Sequence, residues 1–500
     1  MDRQAVLVAC LRDFSVLRSL SDPEFTGARE PWLLIDWQRT GEFDSTWLRA
    51  RFSGPVVFSP GRAGTHCGDA GGRRAALLRA AAVCDLIELD ADIDLEPAIL
   101  SAIPAEKRMV AWQGLGDSVA DLRAAFGRIS RTPAKYYKLV TAPGDEASAI
   151  VPLLFLNDLR RRDTIAWASG EMGMWTRLIA PRLGAPIIFG NADSAASGEP
   201  GEPSIRQLTG DYGLPSLPEI GGIYGIAGKS VMASLSPRLH NAAYASTGQQ
   251  AIFLPFQTSS LDAFHDGVIE SPFFESAGMP ILGLTLASPN KESALALASE
   301  RHPMVRRAQS SNLLVRTRDG WVADTTDPDG VLTNLREQHF RFSQAPVAVV
   351  GCGGSGRAVA AALRDEGAAV TLVNRSPARG HYASLLLGLP FVQLDEFEPH
   401  GYSAVINATP VGQRGSEAPF LVAGLSPGCT VVDHIYRTGE ETALIAGARA
   451  RGCATVCGRH ILLAQVRQQF RLMTGVHMPA DEARRALNLP TAEHTLAAVS

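Results

Sequence analysis

Val349-Val-Gly-Cys-Gly-Gly-Ser-Gly-Arg-Ala-Val-Ala-Ala-Ala-Leu363 reads as the end of a buried strand, a glycine turn and the start of a helix, which is the dinucleotide-binding fingerprint. Gly351, Gly353, Gly354 and Gly356 permit a tight turn and close approach of backbone to a pyrophosphate, whose charge then meets the N-terminus of the following helix. A cofactor with a free ribose 2′-hydroxyl would call for an acid at the end of the second strand, about 20 residues on. This chain has Asn374-Arg375-Ser376 there, with Arg379 close behind. A guanidinium offers a planar fork to phosphate and would be out of place against a bare diol, so the pattern favours NADP. A glycine triplet alone is weak evidence, and the arginines are what strengthen it.

Working outward, 500 residues exceed one ordinary core, and roughly 150 residues per domain predicts about three domains. With 47 Lys+Arg against 51 Asp+Glu the net charge is −4, a near balance that argues against nucleic acid or a membrane surface as partner. The early apolar run Ala5 to Leu11 is interrupted by Arg12 and Asp13 and is far below a spanning length or a secretory segment. A cytoplasmic protein acting on small molecules is expected, with no metal site. Seven scattered Cys, among them Cys453 and Cys457 without redox or zinc spacing, predict reduced packing residues. Nothing in the sequence sets the oligomeric state.

Before the fingerprint, eight short apolar runs alternate with helix-like segments: 5–11, 32–37, 55–60, 86–92, 108–114, 136–142, 164–170 and 185–190. Eight buried strands alternating with helices predict a closed parallel (β/α)₈ barrel over 1–192, with an open doubly wound sheet as the alternative. Residues 193–218, rich in Ser, Gly, Pro and acids, read as a linker or lid. An α/β substrate-binding region follows over 219–335, completed by a helical stretch within 460–490, and the Rossmann-type nucleotide region occupies 340–459. The fold class is therefore α/β, a barrel followed by a two-domain dehydrogenase.

The middle region carries chemistry. Gly283-Leu-Thr-Leu-Ala-Ser-Pro-Asn-Lys291 supplies a lysine and Thr325-Thr326-Asp327 an aspartate, a dyad able to handle a proton beside a hydride carrier. A lysine and an aspartate on one surface are usually a solvated pair worth little. In Ser234-Leu-Ser236-Pro237, two hydroxyls two residues apart face one side of an extended segment and can bind a carboxylate. By itself that tetrapeptide is an ordinary helix cap.

In order, SLSPRLHN, PNKE, Asn312, TTD, GCGGSGRA with NRS, INATPVG (406–412), DHIYRTGEETAL (433–444) and GRHILLAQVRQQF (458–470) resemble shikimate dehydrogenases over essentially all of 220–475. The resemblance implies that Ser234 and Ser236 hold a shikimate carboxylate. It implies that Lys291 and Asp327 act on the hydroxyl that becomes a ketone, that Asn312 and Gln465 bind neighbouring ring hydroxyls, and that Thr409 lies in the cofactor site. Thr285, Ala287, Ala323 and Thr325 depart from the family pattern, which loosens the substrate assignment and leaves quinate as a competitor.

The first half is similar, remotely, to type I 3-dehydroquinate dehydratase, on LIELD, YYKL, GEMGMWTR and GEPGEPS. That resemblance implies an imine-forming Lys138, a carboxylate-binding Arg177 and an acid at Glu88. Where the family has its proton-shuttling histidine, at the end of the fifth run, this chain has Gln113, which cannot accept and return a proton near neutral pH. Trp32, Leu34, Ser59 and Glu202 replace other site residues, and His66 is a loop histidine available as a substitute base. The expectation is an NADP-dependent shikimate dehydrogenase fused to a barrel with greatly reduced or no dehydratase activity. A two-step enzyme keeping both activities is the alternative, and a non-catalytic small-molecule sensor is the reading from another class.

Overall fold

Runs rich in β-branched and aromatic residues with inward positions two apart form strands. The computed structural model describes residues 5–13, 31–42, 44–61, 70–192, 198–217, 219–437 and 440–490; His66 and residues 193–197 of the linker lie outside the described residues. Each of the eight apolar runs carries one strand: β1 Val6–Leu11, β2 Trp32–Asp36, β3 Val56–Ser59, β4 Leu86–Asp90, β5 Arg108–Gly114, β6 Tyr136–Thr141, β7 Thr164–Ala168 and β8 Ile187–Asn191. All pair in parallel, in the order β7-β6-β5-β4-β3-β2-β1-β8. No β7–β8 ladder is present among the described residues, and the seam is filled by the rings of Trp167 and Phe189, 5.5 Å apart. The barrel is nearly closed.

Its interior is made by one parity of each strand. Val8 and Cys10, Leu34, Val57, Leu86, Met109, Val140, Ile165 and Trp167, Ile187 and Phe189 form one buried cluster. A side-chain period of two then carries the same inward face to Arg12, Asp36, Glu88, Gln113 and Lys138.

The chain divides into two compact units: 1–222 with 231–241 and 250–280, and 223–230 with 242–249 and 281–500. In the first unit, the barrel helix Gly170–Ile179 packs on strand Ala251–Gln257. Trp175 is buried against Phe256 and Phe274, with ring centroids at 5.4 and 6.0 Å. Gln257 donates to Glu171 at 2.7 Å and Thr258 to Glu146 at 2.7 Å. Aromatic burial with satisfied polar groups around it binds 250–280 to the barrel within one folded body.

In the second unit, strand Gly222–Gly228 runs parallel to Ile281–Leu286, which pairs antiparallel with Leu313–Thr317 and, through it, with Gly320–Asp324. Helix Gly458–Thr474 returns to this region and lies against helix Asp327–Glu337. The approach is close because Gly330 has no side chain: a Cβ there would sit 2.7 Å from Ile461 Cγ2. Strands Pro346–Val350, Ala369–Asn374, Phe391–Gln393, Ala404–Asn407, Thr430–Asp433 and Ala454–Val456 form an all-parallel sheet of order 3-2-1-4-5-6 in their own numbering, the doubly wound dinucleotide arrangement. Val347 and Val349 face one apolar layer while Ala348 and Val350 face the other, as a sheet covered by helices on both sides requires. Among the described residues no helix is long and apolar enough to cross a membrane.

Candidate functional site

Asp327 opens helix Asp327–Glu337 and is 2% exposed. A carboxylate this deep is tolerable only with partners, and four polar side chains supply them. Lys291 Nζ lies 2.7 Å from Oδ2 and 3.1 Å from Oδ1, while Asn312 Nδ2 and Gln465 Nε2 donate to Oδ1 at 3.0 and 3.1 Å. Ser355, inside the glycine loop, accepts from Lys291 Nζ at 2.7 Å and is a further partner of the carboxylate. Burial pushes the Asp327 carboxyl up, but the Lys291 charge and hydrogen bond outweigh it, and the net shift is below the ordinary carboxylate value. Asn312 is itself pinned: its Oδ1 accepts the Thr326 N–H at 2.8 Å and its Nδ2 donates to Thr326 Oγ1 at 3.1 Å. Lys291, Asp327, Asn312 and Gln465, carried by separate elements far apart in sequence, thus meet around one carboxylate.

The nucleotide turn follows the fingerprint. Gly351 has φ +110° and its N–H donates to Val373 O at 2.7 Å. A Cβ on Gly356 would lie 1.8 Å from Gly351 O, so that position must be glycine for the helix to start where it does. A Cβ on Gly353 would meet nothing within 4 Å, leaving open space in front of helix Gly354–Asp365. Asn374 Oδ1 accepts the Cys352 N–H at 3.1 Å and its Nδ2 donates to Ser376 O at 2.9 Å, which ties the second strand's end to the glycine loop. Arg375 and Arg379 are exposed beside that end. Thr409 donates through N and Oγ1 to Asn407 Oδ1 at 3.0 and 2.6 Å. The cradle and its flanking cations suit a phosphate-bearing dinucleotide.

Ser234 and Ser236 belong to the first unit. Their segment is a turn, not the extended stretch expected from the sequence: Ser236 already begins helix Ser236–Thr247, and its N–H donates to Ser234 Oγ at 3.2 Å. The local hydroxyl-to-backbone bond outcompetes extension.

The barrel holds a separate constellation. A cavity of about 200 Å³ is lined by Glu88, Asp90, Gln113, Lys138, Trp167, Arg177, Glu199 and Glu202 among others. Lys138 Nζ is 2.8 Å from both Glu88 carboxylate oxygens. Lys138 is the third residue of β6, deeper in the barrel than the strand end where the sequence suggested it, and it reaches the cavity from within. Arg177 lies over Trp167, 4.9 Å from the ring centroid, and donates to Phe189 O at 2.9 Å. Gln113 sits at the β5 end on the same face as Ala111, the residue paired with Lys138. No histidine lines the cavity among the described residues. Of the carboxylates in the lining, Glu88 pairs with Lys138 and Glu199 with Arg39. The sequence reading missed Arg12, which donates to Glu202 at 2.5 Å and lies 3.9 Å from Asp36. The available signal was its parity, two residues beyond inward-facing Cys10. Ser355 was also missed, although it lies inside a quoted motif.

Cys10, Cys84, Cys352, Cys429 and Cys453 are buried, and burial pushes each thiol up, as expected of packing residues. Cys457 differs. Burial works to raise it, but its Sγ contact with His460 Nδ1 at 3.1 Å prevails and brings it to about 7. Limited iodoacetamide treatment at about pH 7.5 followed by peptide mass analysis is therefore expected to label Cys457 first; prior labelling of a buried cysteine would contradict this.

Comparison with known proteins adds the family context. Residues 48–216 match the family model described as type I 3-dehydroquinase, and residues 226–314 match that of the shikimate dehydrogenase substrate binding domain. The chain is 34% identical over 261 residues to the shikimate dehydrogenase (NADP(+)) of Acidiphilium cryptum, covering 52% of this chain and 92% of that one. It is 27% identical over 384 residues to the chloroplastic bifunctional 3-dehydroquinate dehydratase/shikimate dehydrogenase of Arabidopsis thaliana, covering 73% of this chain and 62% of the plant protein. Among solved structures, the shikimate 5-dehydrogenase of Thermus thermophilus in complex with NADP(H) and shikimate is 28% identical, with a TM-score of 0.48, covering 53% of this chain and 98% of that one.

Proposed function

We propose, from the premise that this chain belongs to the shikimate dehydrogenase family, that it reversibly reduces 3-dehydroshikimate to shikimate with NADP. In this reading 219–335 with 460–490 bind the hydroxy acid, 340–459 bind the nucleotide, and 193–218 link them to a dehydratase-like barrel at 1–192. The carrying observation is that the buried Lys291–Asp327 pair is joined by a 2.7 Å contact to Ser355 of the glycine loop, which ties the proton-handling group to the nucleotide cradle.

When bound, the cofactor supplies a hydride to the carbonyl carbon. Gly351, Gly353, Gly354 and Gly356 would receive its pyrophosphate, and Asn374, Arg375, Ser376, Arg379 and Thr409 would flank it. As the substrate oxygen gains negative charge, Lys291 donates the proton that makes it a hydroxyl, and Asp327 orients Lys291 and holds that hydroxyl. Asn312 and Gln465 present amides at the same carboxylate and offer donors to neighbouring ring hydroxyls. Incubating purified protein with shikimate or quinate and NADP⁺ or NAD⁺ tests this by nicotinamide absorbance. The expected result is fastest turnover with shikimate and NADP⁺; turnover of quinate alone would reassign the substrate, and no turnover at all would favour a sensor.

Arg375→Ala is expected to raise KM for NADP⁺ by about 10- to 100-fold, since charge-assisted hydrogen bonds are worth roughly 1.5–3 kcal/mol. KM for NAD⁺ should stay nearly unchanged. Equal losses with both cofactors would mean that Arg375 does not read the 2′-phosphate.

For the barrel, the reading is a dehydratase-like site with greatly reduced or no turnover. Gln113 offers no proton-accepting group at the end of β5. The two-step enzyme is the second reading, favoured by the retained Lys138–Glu88 pair, in which an amine able to form an imine lies against a carboxylate able to take its proton.

A further inference from the structure

Arg357 follows the last glycine of the nucleotide turn, lies in the first turn of helix Gly354–Asp365 and is 3% exposed. A guanidinium buried this deeply needs acceptors for its donors and a counter-charge. Nη1 donates to Cys352 O at 3.2 Å, inside the turn itself. Nε donates to Ala308 O at 2.8 Å and Nη2 to Gln309 O at 3.1 Å, on the segment that leads to Asn312. The same Nη2 donates to Glu292 Oε1 at 2.8 Å. Glu292 is the residue after Lys291, so the carboxylate ties the nucleotide helix to the lysine's own segment. That segment is held elsewhere too: Lys291 O accepts the Ser311 N–H at 2.8 Å. A Cβ on Gly354 would lie 2.0 Å from Ser310 Oγ and 3.5 Å from Lys291 Cβ, so the glycine loop rests directly against it. All of these residues belong to the second unit.

We infer that Arg357 and Glu292 are positioning residues for the reaction, acting through Lys291. The guanidinium, anchored on the carbonyls of Cys352, Ala308 and Gln309, holds Glu292 and thereby sets where the backbone of Lys291 stands. The lysine stem is flexible, yet its Nζ must meet Asp327 Oδ2 and Ser355 Oγ at 2.7 Å each. A misplacement of about 1 Å at a reacting group costs on the order of 10²-fold in rate. A planar fork serves several acceptors in fixed directions, which an ammonium cannot reproduce. The inference rests on the dehydrogenase reading above.

Full-length Glu292→Ala, Glu292→Gln and Arg357→Lys are compared with the unaltered protein, with Lys291→Ala and with the double variant Glu292→Ala/Lys291→Ala. Each is followed by steady-state oxidation of shikimate with NADP⁺, calorimetric binding of NADP⁺ and thermal melts. The Glu292 side chain is exposed, so its removal opens no cavity, and Arg357 keeps its carbonyl acceptors. Glu292→Ala should lower kcat about 10- to 100-fold and leave KM for shikimate and Kd for NADP⁺ within about threefold. Arg357→Lys, which keeps the charge but not the fork, should do the same, while Glu292→Gln, whose amide oxygen still accepts from Nη2, should recover part of the rate. In the Lys291→Ala background, Glu292→Ala should change kcat by less than about twofold, because residues that act as one unit are not additive. A merely structural role would lower melting temperature and rate alike in both backgrounds. That result, or a folded Glu292→Ala protein keeping more than about half of the unaltered kcat, overturns the inference while the dehydrogenase reading stands. Unaltered protein that oxidises neither shikimate nor quinate brings down both.

Discussion

Lys291→Ala is expected to lower kcat for shikimate oxidation by about 10²- to 10⁴-fold while KM moves far less, because general acid/base assistance acts in the transition state and contributes little to ground-state binding. The structure sharpens this beyond a generic charge deletion. Lys291 Nζ lies 2.7 Å from both Asp327 Oδ2 and Ser355 Oγ, so the amine is fixed between the carboxylate and the nucleotide loop. Retention of more than about a tenth of the rate would sink the assignment. Removing the lysine also leaves Asp327 buried without its main counter-charge. The carboxyl's folded pKa lies below its ordinary value because of Lys291. The pair therefore contributes stability above the ordinary carboxylate pKa and loses it as pH falls through the depressed folded value. Lys291→Ala should flatten that acid limb in thermal melts followed from neutral pH downward, which separates loss of the pair from a change elsewhere.

The barrel is expected to give the second large effect. With 3-dehydroquinate, Lys138 can attack the ketone with loss of water to give an imine, Glu88 being placed to receive the ammonium proton at 2.8 Å. Elimination then needs a base at the carbon beside the imine, and Gln113 cannot be one. Borohydride should reduce that imine to a stable adduct on the Lys138 peptide, while absorbance of 3-dehydroshikimate barely grows. Gln113→His is expected to raise the dehydration rate, since it puts a titratable ring on the inward face of β5, within the cavity that Lys138 lines. Brisk dehydration by the unaltered protein, lost in Lys138→Ala, would make the two-step enzyme correct. Neither adduct nor turnover would leave the barrel as a scaffold.

Much of the architecture was legible locally. Eight apolar runs became eight barrel strands because a parallel barrel strand is buried on both faces, by the interior and by the surrounding helices. The glycines of 351–356 announced their turn because few other residues tolerate φ +110° or the 1.8 Å approach at Gly356. Lys291 and Asp327 were visible for a different reason, each lying inside a motif that could be quoted. Longer-range features were not legible. Arg12 could not be paired with Glu202 from sequence, since 190 residues separate them and only barrel closure brings them together. The union of 250–280 with the barrel depends on Trp175 meeting Phe256 and Phe274, and no pattern within either segment specifies its partner. Ser234 and Ser236 looked extended because side-chain spacing was weighed without the backbone bond that turns the segment. The sequence by itself determined element type, strand number and the nucleotide turn, all properties of short-range sterics and periodicity. Only the tertiary structure decided which charges neutralise one another, which polar atoms stay unpaired and which helices share a face, because burial and electrostatic pairing depend on distances that chain order does not set.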